Sequence, residues 1–271
     1  MPFAYWVHDL SPFLFRVSEN FGVRYYGLAY LAGFLAAAWL LYLYYQKGRS
    51  PFGFDAITDL MTYIVIGVLV GGRLGYFLLY RLDDLWAEPL SLIRVWEGGM
   101  ASHGGFVGVL IALWCWSRKR GAALFQVSDI VVTTVPVGLL FGRIANFING
   151  ELPGKVTDVA WAVIFPQGAA PGTPTSEIPP RHPSQIYQAA LEGLVLLAYM
   201  QWRFWRGNVQ ATTGRLSGEF LIAYAIVRAI GEIFREPDAS PFFGLSRGTF
   251  YSLFLVVAGL ILILCKPRPA N

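Results

Sequence analysis

Charged residues are scarce in this chain. Asp, Glu, Lys and Arg make up 14% of its 271 residues, 55% are hydrophobic, and the mean hydropathy is +0.50. Since soluble domains carry about 25% charged residues, the composition excludes an ordinary soluble protein. Apolar runs of about 20 residues, long enough to cross a bilayer, favour a polytopic membrane protein.

Cysteine is nearly absent as well. The two cysteines, Cys115 and Cys265, are far apart in the sequence. Such a pair provides neither the spacing of a metal site nor a disulfide framework, so we expect no metal and no cofactor. The formal net charge of +4 is spread between apolar segments. A spread of this kind is typical of membrane loops, and we expect no nucleic-acid partner.

Two further features are lacking. The first 24 residues contain no basic segment followed by an apolar core, so no cleavable signal peptide is expected. The sequence shows no internal repeat, which leaves the inverted-repeat architecture of many transporters without support. The first apolar run is therefore expected to remain in the membrane as an anchor.

The apolar segments predict an all-α membrane protein, a seven-transmembrane-helix bundle that forms one polytopic domain over residues 1–271. Each segment approaches the ~20 residues that span the hydrocarbon core. The predicted spans are 25–45, 57–80, 99–117, 127–148, 185–203, 216–234 and 249–265.

Loop charges predict the orientation. Basic residues dominate the connections after the first, third and fifth spans and the tail with Lys266 and Arg268, whereas acidic residues dominate the opposite face. By the positive-inside rule, the N-terminus is periplasmic and the C-terminus cytoplasmic. The connection 150–184 is then a long periplasmic loop. Its many prolines argue against a helix and favour a folded loop or small head over a passive linker.

Three arginines lie inside predicted spans: Arg73, Arg143 and Arg228. A charge at the bilayer centre costs roughly 2.5–3.5 kcal/mol on insertion scales. Such residues persist when they face the protein interior, form pairs or serve a function. They indicate either an anion-handling membrane protein or buried ion pairs that tie helices together.

The predicted orientation places polar side chains from six helices at one depth, in the periplasmic leaflet. They are Tyr26, Arg73, His103, Arg143, Asn146, Glu192, Arg228 and Glu232. Nearby glycines predict either a cavity or close helix packing. An imidazole titrates near neutrality, which suits His103 for proton transfer.

Helical spacing groups these residues further. Tyr224, Arg228 and Glu232 follow one another at intervals of four, and Arg235 follows three residues later, so all four share one helix face. Arg143 and Asn146 are three residues apart and share another face. These two faces are the expected walls of the site.

Five sequence blocks resemble the prolipoprotein diacylglyceryl transferase family. They are GGRLGYFLLY at 71–80, VWEGGMASHGG at 95–105, GRIANFINGELPG at 142–154, RHPSQIY at 181–187, and 224–238 with FREPD at its end. The blocks occur in the family's order and span nearly the whole chain. This sequence departs from the family pattern at Tyr25 and Ser102, where tryptophan and phenylalanine are common.

The resemblance implies an enzyme of the bacterial inner membrane that faces the periplasmic leaflet. Such enzymes transfer the diacylglyceryl group of phosphatidylglycerol to the lipobox cysteine of prolipoproteins, form a thioether and release glycerol phosphate. This is the first step of lipoprotein maturation. Their partners are phosphatidylglycerol, prolipoprotein signal peptides and the bilayer.

The resemblance also assigns roles to residues. The catalytic residues it implies are His103, Arg143, Arg228 and Tyr224. The substrate-binding residues are Tyr26, Arg143, Asn146, Glu151, Gly154, Glu232 and Arg235, and we add Arg73, which either holds the helices or contacts the lipid.

Two other classes remain open from the residues alone. A phospholipid or organic-anion transporter would also use buried arginines, but it needs polar groups near the bilayer midplane. A membrane hydrolase would need a nucleophile such as Ser102 beside His103, and adjacent helix residues point apart.

Overall fold

A computed structural model describes residues 5–16, 22–94, 98–208, 213–237, 240 and 242–265. Parts of two sequence blocks, 95–97 and Asp238, lie outside the described residues. The same holds for Lys266 and Arg268, which entered the orientation argument.

Helices form most of the described chain, as the sequence predicts. They are α1 (Tyr25–Gln46), α2 (Phe54–Tyr80), α3 (Leu82–Ala87), α4 (Ser102–Arg120), α5 (Leu124–Val131), α6 (Val135–Ile148), α7 (Ser184–Gln188), α8 (Leu196–Arg206), α9 (Arg215–Glu232) and α10 (Arg247–Leu264). A π-helical stretch, Ala189–Val195, joins α7 to α8. Two predicted spans are thus irregular, because α5 and α6 meet at a bend of 45° and the fifth span contains the π-helical stretch.

Among the described helices, α1, α2 and α10 are long and apolar enough to cross a membrane, and the bent pair of α5 and α6 is a fourth candidate if it forms one span. These helices confirm a mostly α-helical membrane protein. The number of seven spans and their orientation stay predictions. α9 is less apolar because Arg215, Glu219, Arg228 and Glu232 lie within its 18 residues.

Glycines allow α2 and α4 to pack backbone against backbone. A Cβ atom on Gly104 would lie 2.2 Å from the carbonyl oxygen of Gly71, and one on Gly108 would lie 2.0 Å from that of Gly67. Only residues without a side chain permit so close an approach. The structure therefore favours the packing interpretation for these glycines over a cavity.

A buried polar cluster holds the end of the bundle where α1 joins α2. The Gln201 amide donates to the hydroxyl of Tyr44 at 2.5 Å and to the Thr133 carbonyl at 3.1 Å. On α5, Asp129 accepts hydrogen bonds from the backbone N–H groups of Gly214 and Ser217, at 2.7 and 2.8 Å. A carboxylate in this position caps the start of α9.

The opposite end carries short strands that an all-α prediction omits. β1 (Trp6–Val7) pairs in parallel with β4 (Val163–Ile164), and β2 (Phe13–Arg16) pairs antiparallel with β3 (Gly22–Arg24). β4 belongs to the loop predicted at 150–184. Backbone pairing thus joins this loop to the N-terminal segment, as a folded head would require.

Candidate active site

A fully buried carboxylate joins two of the three arginines. Both Nε and Nη2 of Arg143 donate to Oε2 of Glu192, at 3.0 and 2.9 Å. Nη1 of Arg228 donates to Oε1 of the same residue at 3.2 Å. The Glu192 side chain is 0% exposed, whereas those of Arg143 and Arg228 are 15% and 14% exposed. Side chains from α6, the π-helical stretch and α9 therefore meet at one point.

The network continues along α9 and beyond its end. Nη2 of Arg228 lies 2.5 Å from Oε1 of Glu232, one helical turn away, and Nη1 of Arg235 lies 3.8 Å from the same oxygen. The i, i+4 spacing brings the first pair together. Three guanidinium groups thus face two carboxylates, which leaves one excess positive charge.

α10 fits against this network because Gly248 has no side chain. A Cβ atom on Gly248 would lie 2.7 Å from the carboxyl carbon of Glu232. Tyr224 lies near the other members and interacts electrostatically with Glu192, Arg228 and Arg143. Tyr224, Arg228 and Glu232 thus lie on α9 with the predicted spacing, whereas Arg235 lies beyond the end of the helix, where it pairs with Gly154, and not on the predicted helix face.

Asn146 and Glu151 form a second polar group where α6 ends. Nδ2 of Asn146 donates to Oε2 of Glu151 at 3.0 Å. The chain reverses between them, and Gly150 there has a φ of +68°, which glycine adopts without strain. The rings of Tyr26 and Tyr30 on α1 are in contact, with centroids 5.3 Å apart.

Gly154 ties the outer loop to the end of α9. Its N–H donates to the His182 carbonyl at 2.9 Å, and it pairs with Arg235 in an antiparallel bridge. A Cβ atom here would lie 2.5 Å from the His182 oxygen and 2.6 Å from the Phe234 oxygen. Any side chain at Gly154 would therefore separate the loop from Arg235.

His182 packs between the aromatic rings of Tyr187 and Phe234 in this loop. Its Nδ1 lies 3.2 Å from the Tyr187 hydroxyl. Partial burial, with a smaller effect of the Lys155 charge, lowers the pKa of His182 below its ordinary value of 6.5. The neutral imidazole is thus the form that the folded loop favours.

His103 lies in the first turn of α4 and is exposed. Its ring contacts that of Tyr251 on α10 edge to face, with centroids 6.1 Å apart. Tyr251 and Gly248 are three residues apart and share a face of α10. α10 therefore contacts His103 and the carboxylate of Glu232 within one helical turn.

Arg73 has a different environment from the other two arginines. Its guanidinium donates to the carbonyl oxygens of Ser91 at 2.5 Å, Leu92 at 3.1 Å and Arg94 at 2.9 Å. It also donates to the carbonyl oxygens of Gly98 and Gly99. These contacts favour the alternative in which Arg73 holds the protein together, here by binding backbone carbonyls within 91–94 and 98–99 to α2.

The structure thus brings together Arg143, Arg228, Glu232 and Arg235, with Tyr224 beside them. It pairs Asn146 with Glu151 and places Tyr26 against Tyr30, while His103 and Arg73 contact other groups. The centre of the network is Glu192, which the sequence places at the same depth as the arginines but to which the family resemblance assigns no role. Its signal was a lone acidic residue in an apolar span, the same signal that identified the arginines.

Fold and site together define an α-helical membrane protein with a buried cationic site suited to an anionic group. The family model of prolipoprotein diacylglyceryl transferase matches residues 12–265. The chain belongs to this family and is a transferase.

Relatives agree with this assignment. The chain is 44% identical over 252 residues to the phosphatidylglycerol–prolipoprotein diacylglyceryl transferase of Rhodospirillum centenum, covering 90% of this chain and 88% of the relative. It is 45% identical over 255 residues to the protein of that name from Solidesulfovibrio magneticus, covering 92% of each. It is 40% identical to that of Neisseria gonorrhoeae, covering 94% of this chain and 95% of the relative.

Proposed function

We propose that the chain transfers the diacylglyceryl group of phosphatidylglycerol to the lipobox cysteine thiol of prolipoproteins, at the site around Arg143 and Arg228. Family membership supports the reaction, the first step of lipoprotein maturation. The observation that carries the location is the convergence of two guanidinium groups on the buried carboxylate of Glu192.

The chemistry requires positive charge. A sulfur–carbon bond forms at the glyceryl carbon, the carbon–oxygen bond to the phosphate breaks, and the phosphate leaves with a second negative charge. Preorganised donors stabilise charge that develops in the transition state. Arg143 and Arg228 keep N–H groups that Glu192 and Glu232 do not occupy, and guanidinium groups match phosphate oxygens.

The substrate supplies the nucleophile, and its thiol must lose a proton. A cysteine thiol has a pKa of about 8.5, so a base near neutrality accelerates the attack. We assign this role to His103, which is exposed and contacts Tyr251 on the face of α10 where Gly248 meets Glu232. The alternative role of His103 is to position the glycerol headgroup.

In this proposal, the remaining site residues either bind substrate or hold the parts of the site in place. Tyr26, Tyr224 and Asn146 offer hydrogen bonds to headgroup hydroxyls, while Glu151 orients Asn146. Gly154 and Arg235 join the loop to the site. Arg73 holds the stretch 91–94 against α2 in this proposal, since its guanidinium donates to backbone carbonyls there.

The proposal includes a location. Seven spans in the inner membrane, with the N-terminus in the periplasm and the C-terminus in the cytoplasm, would bring the site to the periplasmic leaflet. The helices that coincide with the predicted spans and the excess of basic residues on one face support this arrangement.

Replacing Arg143 tests the site. Arg143→Ala should abolish formation of the thioether between phosphatidylglycerol and a lipobox peptide, because the phosphate loses a guanidinium. Loss of one such donor costs about 10²–10³-fold in kcat. Arg203→Ala is the matched control, because Arg203 also pairs with a buried glutamate, Glu219, at the other end of α9. Equal activity of the two variants would contradict the phosphate-binding role.

A further inference from the structure

Glu192 is an unusual residue for its place in the chain. It lies in the π-helical stretch Ala189–Val195, and its carboxylate is fully buried. Single turns of π-helix occur frequently at functional sites. Each carboxylate oxygen binds a different arginine, from α6 and from α9.

We propose that Glu192 is the positioning residue of the phosphate site: its carboxylate orients Arg143 and Arg228 so that their remaining N–H groups converge on one phosphate. The inference rests on the proposed function. It assigns to Glu192 no contact with the substrate, only an effect through the two arginines.

Electrostatics shows why the two arginines need a shared partner. Two positive charges held close together in a largely buried site repel each other, since little solvent screens them. In the free site the carboxylate between them offsets this repulsion. The guanidinium groups can therefore stay close together before any lipid arrives, which is the preorganisation that transition-state stabilisation requires.

Hydrogen-bond geometry shows what remains for the substrate. Arg143 uses Nε and Nη2 on a single oxygen of Glu192, which leaves its Nη1 without a hydrogen bond to any residue in the described part of the chain. Arg228 uses Nη1 on Glu192 and Nη2 on Glu232. Among the residues that the structure describes, two carboxylates thus hold Arg228 and one, that of Glu192, holds Arg143. We therefore expect the orientation of Arg143 to depend most on Glu192.

The same bundle contains a matched arrangement without a proposed role in catalysis. Glu219 accepts hydrogen bonds from Arg203 at 2.7 Å and from Arg215 at 3.0 Å, at the other end of α9. This carboxylate also joins two arginines, and it too is largely buried. Glu219→Gln therefore makes the same chemical change to a bridge that lies outside the proposed phosphate site.

A double-mutant cycle tests the proposal. The cycle compares Glu192→Gln, Arg143→Lys and the double variant with the wild type. Lysine at position 143 keeps the positive charge and should leave residual activity. For each protein, kcat and KM are measured for phosphatidylglycerol with a lipobox peptide. Glu192→Gln should lower kcat roughly tenfold or more, with a much smaller change in KM, because orientation acts mainly in the transition state. The double variant should be little slower than the slower single variant, since coupled residues are not additive.

A control cycle separates positioning from stability. Glu219→Gln combined with Arg143→Lys should give independent effects that multiply. If the effects of Glu192→Gln and Arg143→Lys also multiply, Glu192 does not act through Arg143 and the proposal is wrong. If Arg143→Lys alone has no effect, the proposed phosphate site itself is wrong.

A second variant covers the case in which Glu192→Gln does not fold. Glu192→Asp keeps the buried charge but is one methylene shorter, so it reaches one arginine and releases the other. The kcat of this variant should fall. Glycerol 1-phosphate, used as a competitive inhibitor, should bind to it roughly tenfold more weakly than to the wild-type protein. Wild-type kcat and inhibition in this variant would overturn the proposal.

Discussion

At the scale of single residues, the three arginines in apolar helices differ in what their guanidinium groups contact. The guanidinium of Arg73 donates hydrogen bonds to backbone carbonyls, whereas those of Arg143 and Arg228 donate to carboxylates. Some N–H groups of Arg143 and Arg228 have no partner among the described residues. A guanidinium saturated by carbonyls orders a loop, and one that keeps free donors can bind a phosphate. The same residue type therefore has two different environments in one bundle.

His103 gives the next prediction at this scale. His103→Gln should lower kcat by about 10²–10⁴-fold, the typical effect of a general base. Binding of phosphatidylglycerol should persist, because glutamine keeps hydrogen-bonding capacity. Turnover and lipid binding measured on the same purified variant check this expectation. Loss of lipid binding would instead assign His103 to the glycerol headgroup.

The sequence predicted much of the site because charge in an apolar segment is visible without coordinates. Arg143, Arg228 and Glu232 were expected together, and the structure places them in one network. The partner of Arg73 could not be found in this way, because its acceptors are backbone carbonyls. Every residue has a carbonyl, so the sequence carries no signal for them.

At the scale of elements, the contact between α2 and α4 depends on the absence of side chains. Gly104→Ala should destabilise the protein by about 1–3 kcal/mol, the usual penalty for overpacking, because its Cβ would overlap Gly71. Gly105→Ala is the adjacent control, since its Cβ would meet only the Val68 oxygen at 3.9 Å. The midpoints of thermal unfolding in detergent, measured for both variants, test this prediction. Equal midpoints for Gly104→Ala and Gly105→Ala would contradict the close packing of α2 and α4.

The outer loop should respond to pH through His182. Its pKa is lowered in the folded loop, so the stabilising contribution is complete above the unfolded value of about 6.5 and is lost as pH falls. Hydrogen exchange at the Gly154 and Arg181 amides should therefore accelerate between about pH 7.5 and pH 5.5, after correction for intrinsic rates.

His182→Gln provides the control for this pH effect. Glutamine does not titrate, so the variant should lose most of the additional acceleration at low pH. The same pH dependence in both proteins would show that another group is responsible.

Irregular elements were the part of the fold that sequence patterns missed. The short strand Trp6–Val7 pairs with Val163–Ile164 from a distant part of the chain, and two residues carry no periodic signal. The π-helical stretch depends on tertiary contacts, such as the close approach of Leu140 to Gly193. Apolar periodicity identifies the helices but not these local departures.

At the scale of the whole molecule, the orientation in the membrane is the central prediction. Cys265 ends the described chain beyond α10 and is exposed, and Ala170 lies exposed in the outer loop. In intact spheroplasts, an impermeant maleimide should label Ala170→Cys in a cysteine-free background. It should label Cys265, in a chain with Cys115→Ala, only after permeabilisation. The reverse pattern would contradict a periplasmic loop.

The shared carboxylate has a consequence for how the protein is made. Arg143 leaves the ribosome before Glu192, and Arg228 follows later still. In the proposed arrangement, α6 therefore enters the bilayer with an unmatched charge, at roughly 2.5–3.5 kcal/mol if it lay near the bilayer centre. During membrane insertion, α6 must therefore stay within the insertion machinery or pack against earlier helices. It can leave this environment when Glu192 arrives and pairs with the charge of Arg143.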